Sequence, residues 1–345
     1  MSLKLSTKDL RTPASREGSK PPKIGYRTSR GHMVVGDAEE ILRSRLVDKI
    51  RGKVDLIFTS PPFPLNRKKK YGNLQGEAYI EWLASFAPLF HTLLRRNGSI
   101  VIEIGNAWEP GEPVMSILPV RAFLAFKERG GFHLCQQFVC YNPARLPSPA
   151  QWVNVDRIRV KDAYTHLWWL SPVARPLAKN KRVLKSYSDS MLKLLETKKY
   201  NAGLRPSEYR IGEKSFLRNN KGAIPSNVLT FTNTLSRDAY LEYCRKKNLV
   251  RHPARMPVGL AEFFIKFLTR RDGLVLDPFA GSNTTGAAAE KLGRSWISIE
   301  SREDYARASK GRFSGQEPNH ASATQSRKAG KGAKKGSRKP RSRGR

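Results

Sequence analysis

The sequence predicts an α/β protein built on a doubly wound, mostly parallel sheet that a basic insertion interrupts. Three observations carry this expectation. Short apolar runs rich in β-branched and aromatic residues, such as VDLIFTS (54–60), SIVIEIG (99–105), GLVLDPF (273–279) and RSWISIE (294–300), alternate with amphipathic stretches of helical length. One of these runs leads into Ser60-Pro61-Pro62-Phe63, and another leads into the glycine-bearing turn DPFAGSN (277–283). Between 175 and 247 the alternation stops, and 17 Lys and Arg stand against six Asp and Glu.

Taken in order, residues 1–25 are polar, rich in Lys, Ser and Pro, and are expected to be disordered. HMVVGDAEEIL (32–42) reads as a short strand, a Gly-Asp turn and a helix start, and VDLIFTS reads as a buried strand. EAYIEWLASFAPLFHTLLRRNG (77–98) puts Ile80, Leu83, Ala87, Phe90 and Leu94 on one helical face, with Gly98 as its stop. SIVIEIG is a second buried strand. A helix over SILPVRAFLAFKERGG and a strand over FHLCQQFVCYNP follow. After the insertion the alternation resumes with a helix over PVGLAEFFIKFLTRR, the strand GLVLDPF and a helix over TTGAAAEKLG that ends at Gly293. The strand RSWISIE and a charged helix from about Arg302 to Phe313 complete it.

Composition narrows the function. A chain of 345 residues with 39% hydrophobic content buries one large core or two modest ones. Its formal charge of +35 calls for a polyanionic partner. Ten Lys and Arg lie in 327–345, a tail expected to be disordered and able to track DNA backbone, and the remainder still carries +25. Nothing approaches an apolar run of about 18 residues, and no signal segment is seen, so a soluble cytoplasmic protein without membrane contact is expected. The three cysteines form no CxxC pair and no metal-ligand spacing; half-buried thiols are expected, with neither disulfide nor metal.

LVLDPFAGSNTTG (274–286) is a strand entering a turn and a helix start, which exposes backbone amides to a ligand. It lacks the GxGxxG of dinucleotide-binding turns, which disfavours hydride chemistry on NAD. Glu300 ends the next strand, where an acid in this architecture holds ribose hydroxyls. A nucleoside ligand without a pyrophosphate is therefore expected, and S-adenosylmethionine fits. At the other motif, Pro61 and Pro62 donate no hydrogen bonds and fix φ, leaving a stiff corner of bare carbonyls behind Ser60. The Ser60 hydroxyl and the Pro61 carbonyl suit the two hydrogens of a nucleobase amine, and Phe63 offers the base a flat face. A base inside a duplex must be flipped out to reach such a corner. Arg67, Lys68, Lys69 and Lys70 follow at once and are expected to hold the distorted DNA backbone.

From about residue 25 to 313 these motifs resemble those of the amino-group DNA methyltransferases that use S-adenosylmethionine. TSPPF resembles their catalytic motif, DPFAGSNTTG their cofactor loop and ISIE their ribose-binding acid. HPARMPVGLAEFFIKFL (252–268) is similar to the segment that closes over methionine, and VVGDAEEIL to the one whose acid lies near adenine. The motif order, catalytic first and cofactor loop last, is that of the β group. The resemblance implies a Rossmann-like fold in permuted order: a catalytic half (26–174), a target-recognition region (175–250), a cofactor half (251–313) and a disordered tail (314–345). It implies cofactor contacts from Asp37, Pro257, Asp277, Pro278, Phe279, Ala280, Gly281, Ser282, Asn283, Thr284 and Glu300, with FAGSN in place of the family's usual FxGxG.

Family members with Ser before Pro-Pro mostly methylate cytosine at its 4-amino group, and this implies cytosine here. Glu103 is placed near the amine as proton acceptor or orienting group, and Asn106 and Trp108 are expected to line the pocket. The resemblance further implies a monomer acting on double-stranded DNA within a restriction-modification system, without a stable complex with the endonuclease. A short palindrome is the expected target, with CAGCTG as the candidate. Two alternatives stay open on the sequence: an adenine-N6 methyltransferase, and a catalytically inactive DNA-binding relative. A carbon-5 cytosine methylase is disfavoured, since its Pro-Cys nucleophile motif does not occur.

Overall fold

The computed structural model describes residues 22–64, 74–232 and 238–313. Thirteen strands occur among them: β1 (Lys23–Arg27), β2 (Gly31–Val35), β3 (Val54–Thr59), β4 (Leu94–Gly105), β5 (Ala107–Trp108), β6 (Met115–Ser116), β7 (His133–Tyr141), β8 (Tyr164–Ser171), β9 (Gly203–Leu204), β10 (Arg210–Ile211), β11 (Val228–Thr230), β12 (Leu274–Asp277) and β13 (Ser295–Glu300). The α-helices are α1 (Ala38–Arg43), α2 (Gly76–Leu93), α3 (Leu118–Arg129), α4 (Asp189–Thr197), α5 (Ala239–Lys246), α6 (Val258–Leu268), α7 (Thr284–Lys291) and α8 (Glu303–Ser309).

Nine strands form one sheet in the order β1-β2-β13-β12-β3-β4-β8-β7-β11. The five from β2 to β4 run parallel, whereas β1 and β8 run against their neighbours. The central strands are apolar throughout because both faces are covered. All six residues of β3 and all four of β12 are buried. One face carries Ile57, Ile100, Ile102 and Leu276 against α2 and α3, with Tyr79, Phe86, Phe90 and Phe126 filling the layer. The other carries Leu56, Phe58, Val101 and Val275 against α6 and α7, through Leu260, Phe264, Leu268 and Ala289. This is the doubly wound α/β architecture the alternation predicts.

Because β3 and β12 are adjacent and parallel, the chain leaves both at the same edge, bringing Ser60 and Asp277 side by side although 217 residues separate them. Thr59 Oγ1 donates to Asp277 Oδ1 at 2.7 Å and ties the two strand ends together. β13 and β4, flanking this pair, deliver Glu300 and Glu103 to the same edge.

Several expectations are corrected. The segment 23–25, expected to be disordered, begins β1, because Tyr26 anchors it beside Trp296 and Phe313 at ring separations of 6.2 and 5.7 Å. The helix expected to stop at Gly98 ends at Leu93: Leu94 pairs with Val54, so β4 takes over the polar stretch before SIVIEIG. β8 went unread in the sequence. Its YTHLWWLS run pairs antiparallel with both β4 and β7. Every described residue, the 175–250 region included, falls within one compact unit. β11 extends the sheet beside β7, and α5 buries Tyr240, Leu241 and Cys244. The last helix is shorter than expected, with Lys310–Arg312 forming a 3-10 turn. No described helix is long and apolar enough to cross a membrane.

Candidate active site

The strand ends enclose a cavity of about 680 Å³. It is lined by Ser60, Pro61, Pro62, Phe63 and Glu103 on one side and by Asp277, Pro278, Phe279, Ala280, Gly281, Ser282, Thr284 and Glu300 on the other, with Asp37 and Pro257 at its walls. Thus the sequence-predicted catalytic and cofactor residues meet in one cavity, with one exception. Asn283 is fully buried and does not line it. With φ at 54°, it caps α7 by accepting from the Gly286 amide (3.1 Å), accepts from Ser298 Oγ (2.7 Å) and donates to Tyr26 (2.9 Å). Its place is in the frame of the loop. Arg67, Lys68, Lys69 and Lys70 lie outside the described residues.

At the cofactor end, Glu300 is held by two backbone amides: Gly281 N donates to Oε2 at 2.8 Å and Arg302 N to Oε1 at 2.9 Å. Ser301 Oγ also reaches Oε1 at 3.5 Å, and Oε2 keeps a lone pair for a ligand hydroxyl. Burial raises the Glu300 pKa and the two amides oppose the rise. Gly281 has φ of +51°, and a Cβ on it would come within 2.9 Å of His252 Nε2, so the turn needs glycine here. Asp37 caps α1 by accepting from the Glu40 amide at 3.0 Å. Phe279 packs on Trp82 and Phe86 with ring centroids 5.5 and 5.2 Å apart, joining the loop to α2. The cavity is large enough for a nucleoside with a side chain, and its acid and apolar walls suit S-adenosylmethionine.

At the other end, Glu103 sits on β4 almost out of water. Thr165 Oγ1 donates to its Oε1 at 2.9 Å, and the Ser60 side chain is close enough to lower its pKa. Burial pushes its carboxyl above the usual range, and these two side chains together with the Arg145 charge pull the other way. The Phe63 ring lies against the backbone of Gly105, where a Cβ would approach within 2.6 Å of the ring. Asp277 is pushed up to about 6 by burial, opposed by donors from Thr59, Thr285 and the Phe279 amide.

Sequence reasoning missed Thr165, Asn142, Arg145, His252 and Tyr305, which also line the cavity. Thr165 lies on the unread strand β8; Asn142 and Arg145 lie just beyond β7. His252 stands inside the segment assigned to methionine, yet drew no notice by itself. Its ring contacts Tyr305 at 4.7 Å. Asn106 and Trp108, expected in the lining, are absent from it: Asn106 is buried and Trp108 Nε1 donates to Asp162 Oδ2 at 3.0 Å. Cys140 and Cys244 are buried and only Cys135 is half-buried. No described group of His, Cys, Asp and Glu has the geometry to hold a metal ion.

A sheet edge that joins a nucleoside-sized cavity to a Ser-Pro-Pro-Phe corner defines a class, and the chain belongs to it: the DNA methylase family of N6 and N4 methyltransferases matches residues 54–311. Among individual relatives, the Type II methyltransferase M.PvuII of Proteus hauseri is 43% identical over 315 residues, covering 90% of this chain and 91% of that protein. The Type II methyltransferase M.ScaI of Streptomyces caespitosus is 27% identical over 293 residues, covering 84% of this chain and 83% of that one. A solved structure described as PvuII DNA methyltransferase (cytosine-N4-specific) superposes with a TM-score of 0.67 at 37% identity, over 87% of this chain and 91% of the other.

Proposed function

We propose that this protein transfers a methyl group from S-adenosylmethionine to the 4-amino group of cytosine in double-stranded DNA, as the modification enzyme of a restriction-modification system. The observation that carries the reading is the convergence of Ser60, Pro61 and the buried Glu103 on one cavity with Glu300 and Gly281. The 43% identity to M.PvuII and the superposition on a cytosine-N4-specific enzyme support cytosine over adenine.

Bound in the cavity, S-adenosylmethionine supplies the electrophilic methyl group. The protein's part is to make a poor nucleophile act. An exocyclic amine of cytosine has its lone pair delocalised into the ring, and two acceptors on its hydrogens draw the nitrogen toward tetrahedral geometry. Ser60 is one acceptor: donating its own proton to Glu103 leaves its oxygen lone pairs for the amine. The Pro61 carbonyl is the other, held stiff by the Pro61-Pro62 pair. Phe63, backed by Gly105, receives the face of the flipped base. As the N–C bond formed and the methyl carbon's bond to sulfur broke, leaving the neutral thioether S-adenosylhomocysteine, one amine proton would have to leave, and Glu103 would take it by way of the Ser60 hydroxyl. A raised carboxyl pKa makes Glu103 a better base for that task. Asp37, Glu300, the 277–284 loop and Pro257 hold the cofactor; Arg67 to Lys70 and the 175–250 region bind DNA; and the chain acts as a monomer in the cytoplasm.

The test is to incubate the enzyme with labelled cofactor and plasmid DNA, hydrolyse the DNA to nucleosides and identify the product by mass spectrometry. N4-methylcytosine is expected, and sequencing then places it, with CAGCTG as the first site to inspect. N6-methyladenine or 5-methylcytosine as the sole product would overturn the proposal.

A further inference from the structure

The loop between β7 and β8 presents the two most exposed of the large apolar side chains among the described residues, Leu146 at 81% and Val160 at 86%. Each is next in sequence to a residue tied to the cavity. Leu146 follows Arg145, which lines the cavity and donates to the Tyr164 carbonyl at the start of β8. Val160 precedes Lys161, whose ammonium donates to the carbonyls of Pro143 (3.1 Å) and Arg145 (3.2 Å). The two residues therefore adjoin, in sequence, one cross-link at Arg145, which lines the cavity together with Glu103.

The loop holding them is braced. Asn142 N donates to Ala163 O at 2.8 Å and Asp162 N to Ser148 O at 3.2 Å. The Asp162 carboxylate accepts from Trp108 and from Arg159, and Arg159 also reaches the Pro113 carbonyl. Such bracing fixes the loop with Leu146 and Val160 mostly in water.

We infer that Leu146 and Val160 form an apolar wedge that enters the base stack of duplex DNA and fills the gap left by the flipped base. The inference rests on the proposed reaction. Taking a base out of a duplex sacrifices its stacking on both neighbours, and apolar side chains are the groups that replace such contacts. Duplex DNA is favoured as the occupant because the flanking Arg145, Arg157, Arg159 and Lys161 outnumber Asp156 and Asp162 in the loop, and because Arg145 lines the cavity that the flipped base must enter.

The test compares the wild-type enzyme with Leu146→Ala/Val160→Ala on two duplexes that carry the methylated site. In one the target cytosine is paired with guanine; in the other it faces an abasic position, so that it is already unpaired. The double variant is expected to lose about tenfold in kcat/KM on the paired duplex, and to stay within about twofold of wild type on the unpaired one. A fluorescent cytosine analogue at the target should report less flipping by the variant on the paired duplex. Equal losses on both duplexes, or none on either, would overturn the wedge. Inactivity of the wild-type enzyme on both would instead count against the proposed reaction.

Discussion

Ser60 and Glu103 divide one task. In the proposed mechanism the serine oxygen faces the substrate, and the carboxylate behind it orients that oxygen and accepts the proton. Ser60→Ala removes an acceptor used most fully as the amine turns tetrahedral, so kcat should fall about 10²- to 10³-fold while cofactor affinity, measured by calorimetry, stays unchanged. An unchanged kcat would remove Ser60 from the mechanism. The Glu103 pKa is raised, chiefly by burial, and a protonated Glu103 can receive nothing. Turnover should therefore decline as pH falls through a value above the ordinary carboxylate range. A kcat profile that stays flat down through that range would count against Glu103 as the proton acceptor.

The loop after β12 shows how an element can hold a site under strain. Asp277 is fully buried, and its pKa is pushed up from 3.8 to about 6. A raised acid binds its proton more tightly in the folded state, so its contribution to stability is fully present below the unfolded value and is lost as pH rises toward about 6. Asp277→Asn keeps an oxygen for Thr59 and the Phe279 amide yet cannot ionise. Relative to the variant, the wild-type protein without cofactor should lose of order 2 kcal/mol between about pH 4 and 6, read from thermal melts. Parallel melting curves across that window would contradict the assignment. The strand ends that carry Ser60, Asp277 and Glu300 were legible in the sequence because each closes a continuous apolar run. Thr165 was not legible: β8 lies in no βαβ repeat, and its antiparallel pairing with β4 and β7 depends on contacts far along the chain. Asn283 misled for a related reason, since a polar residue in a cofactor turn reads the same whether it faces the ligand or caps the helix behind it.

Across the molecule, charge and topology serve the same end. The sheet order brings the two motif-bearing halves together at one edge, and in the proposed reading the basic body faces DNA. Affinity for DNA should fall steeply with salt, with a log–log slope of about −0.9 for each phosphate neutralised. Deleting 327–345 should flatten that slope and leave kcat at saturating DNA unchanged. A salt-independent affinity would contradict the electrostatic account. Charge pattern alone could not divide 175–250 from the fold, because β11 and α5 draw their burial from strands and helices elsewhere in the chain. What matters above all is that the amine-binding corner and the cofactor cavity are one site. A crystal structure with bound S-adenosylmethionine decides this: its methyl carbon should face the Ser60-Pro61 corner, leaving room for a nitrogen about 3–3.5 Å away. A methyl carbon turned from that corner, or walled off from it by protein, would contradict the account.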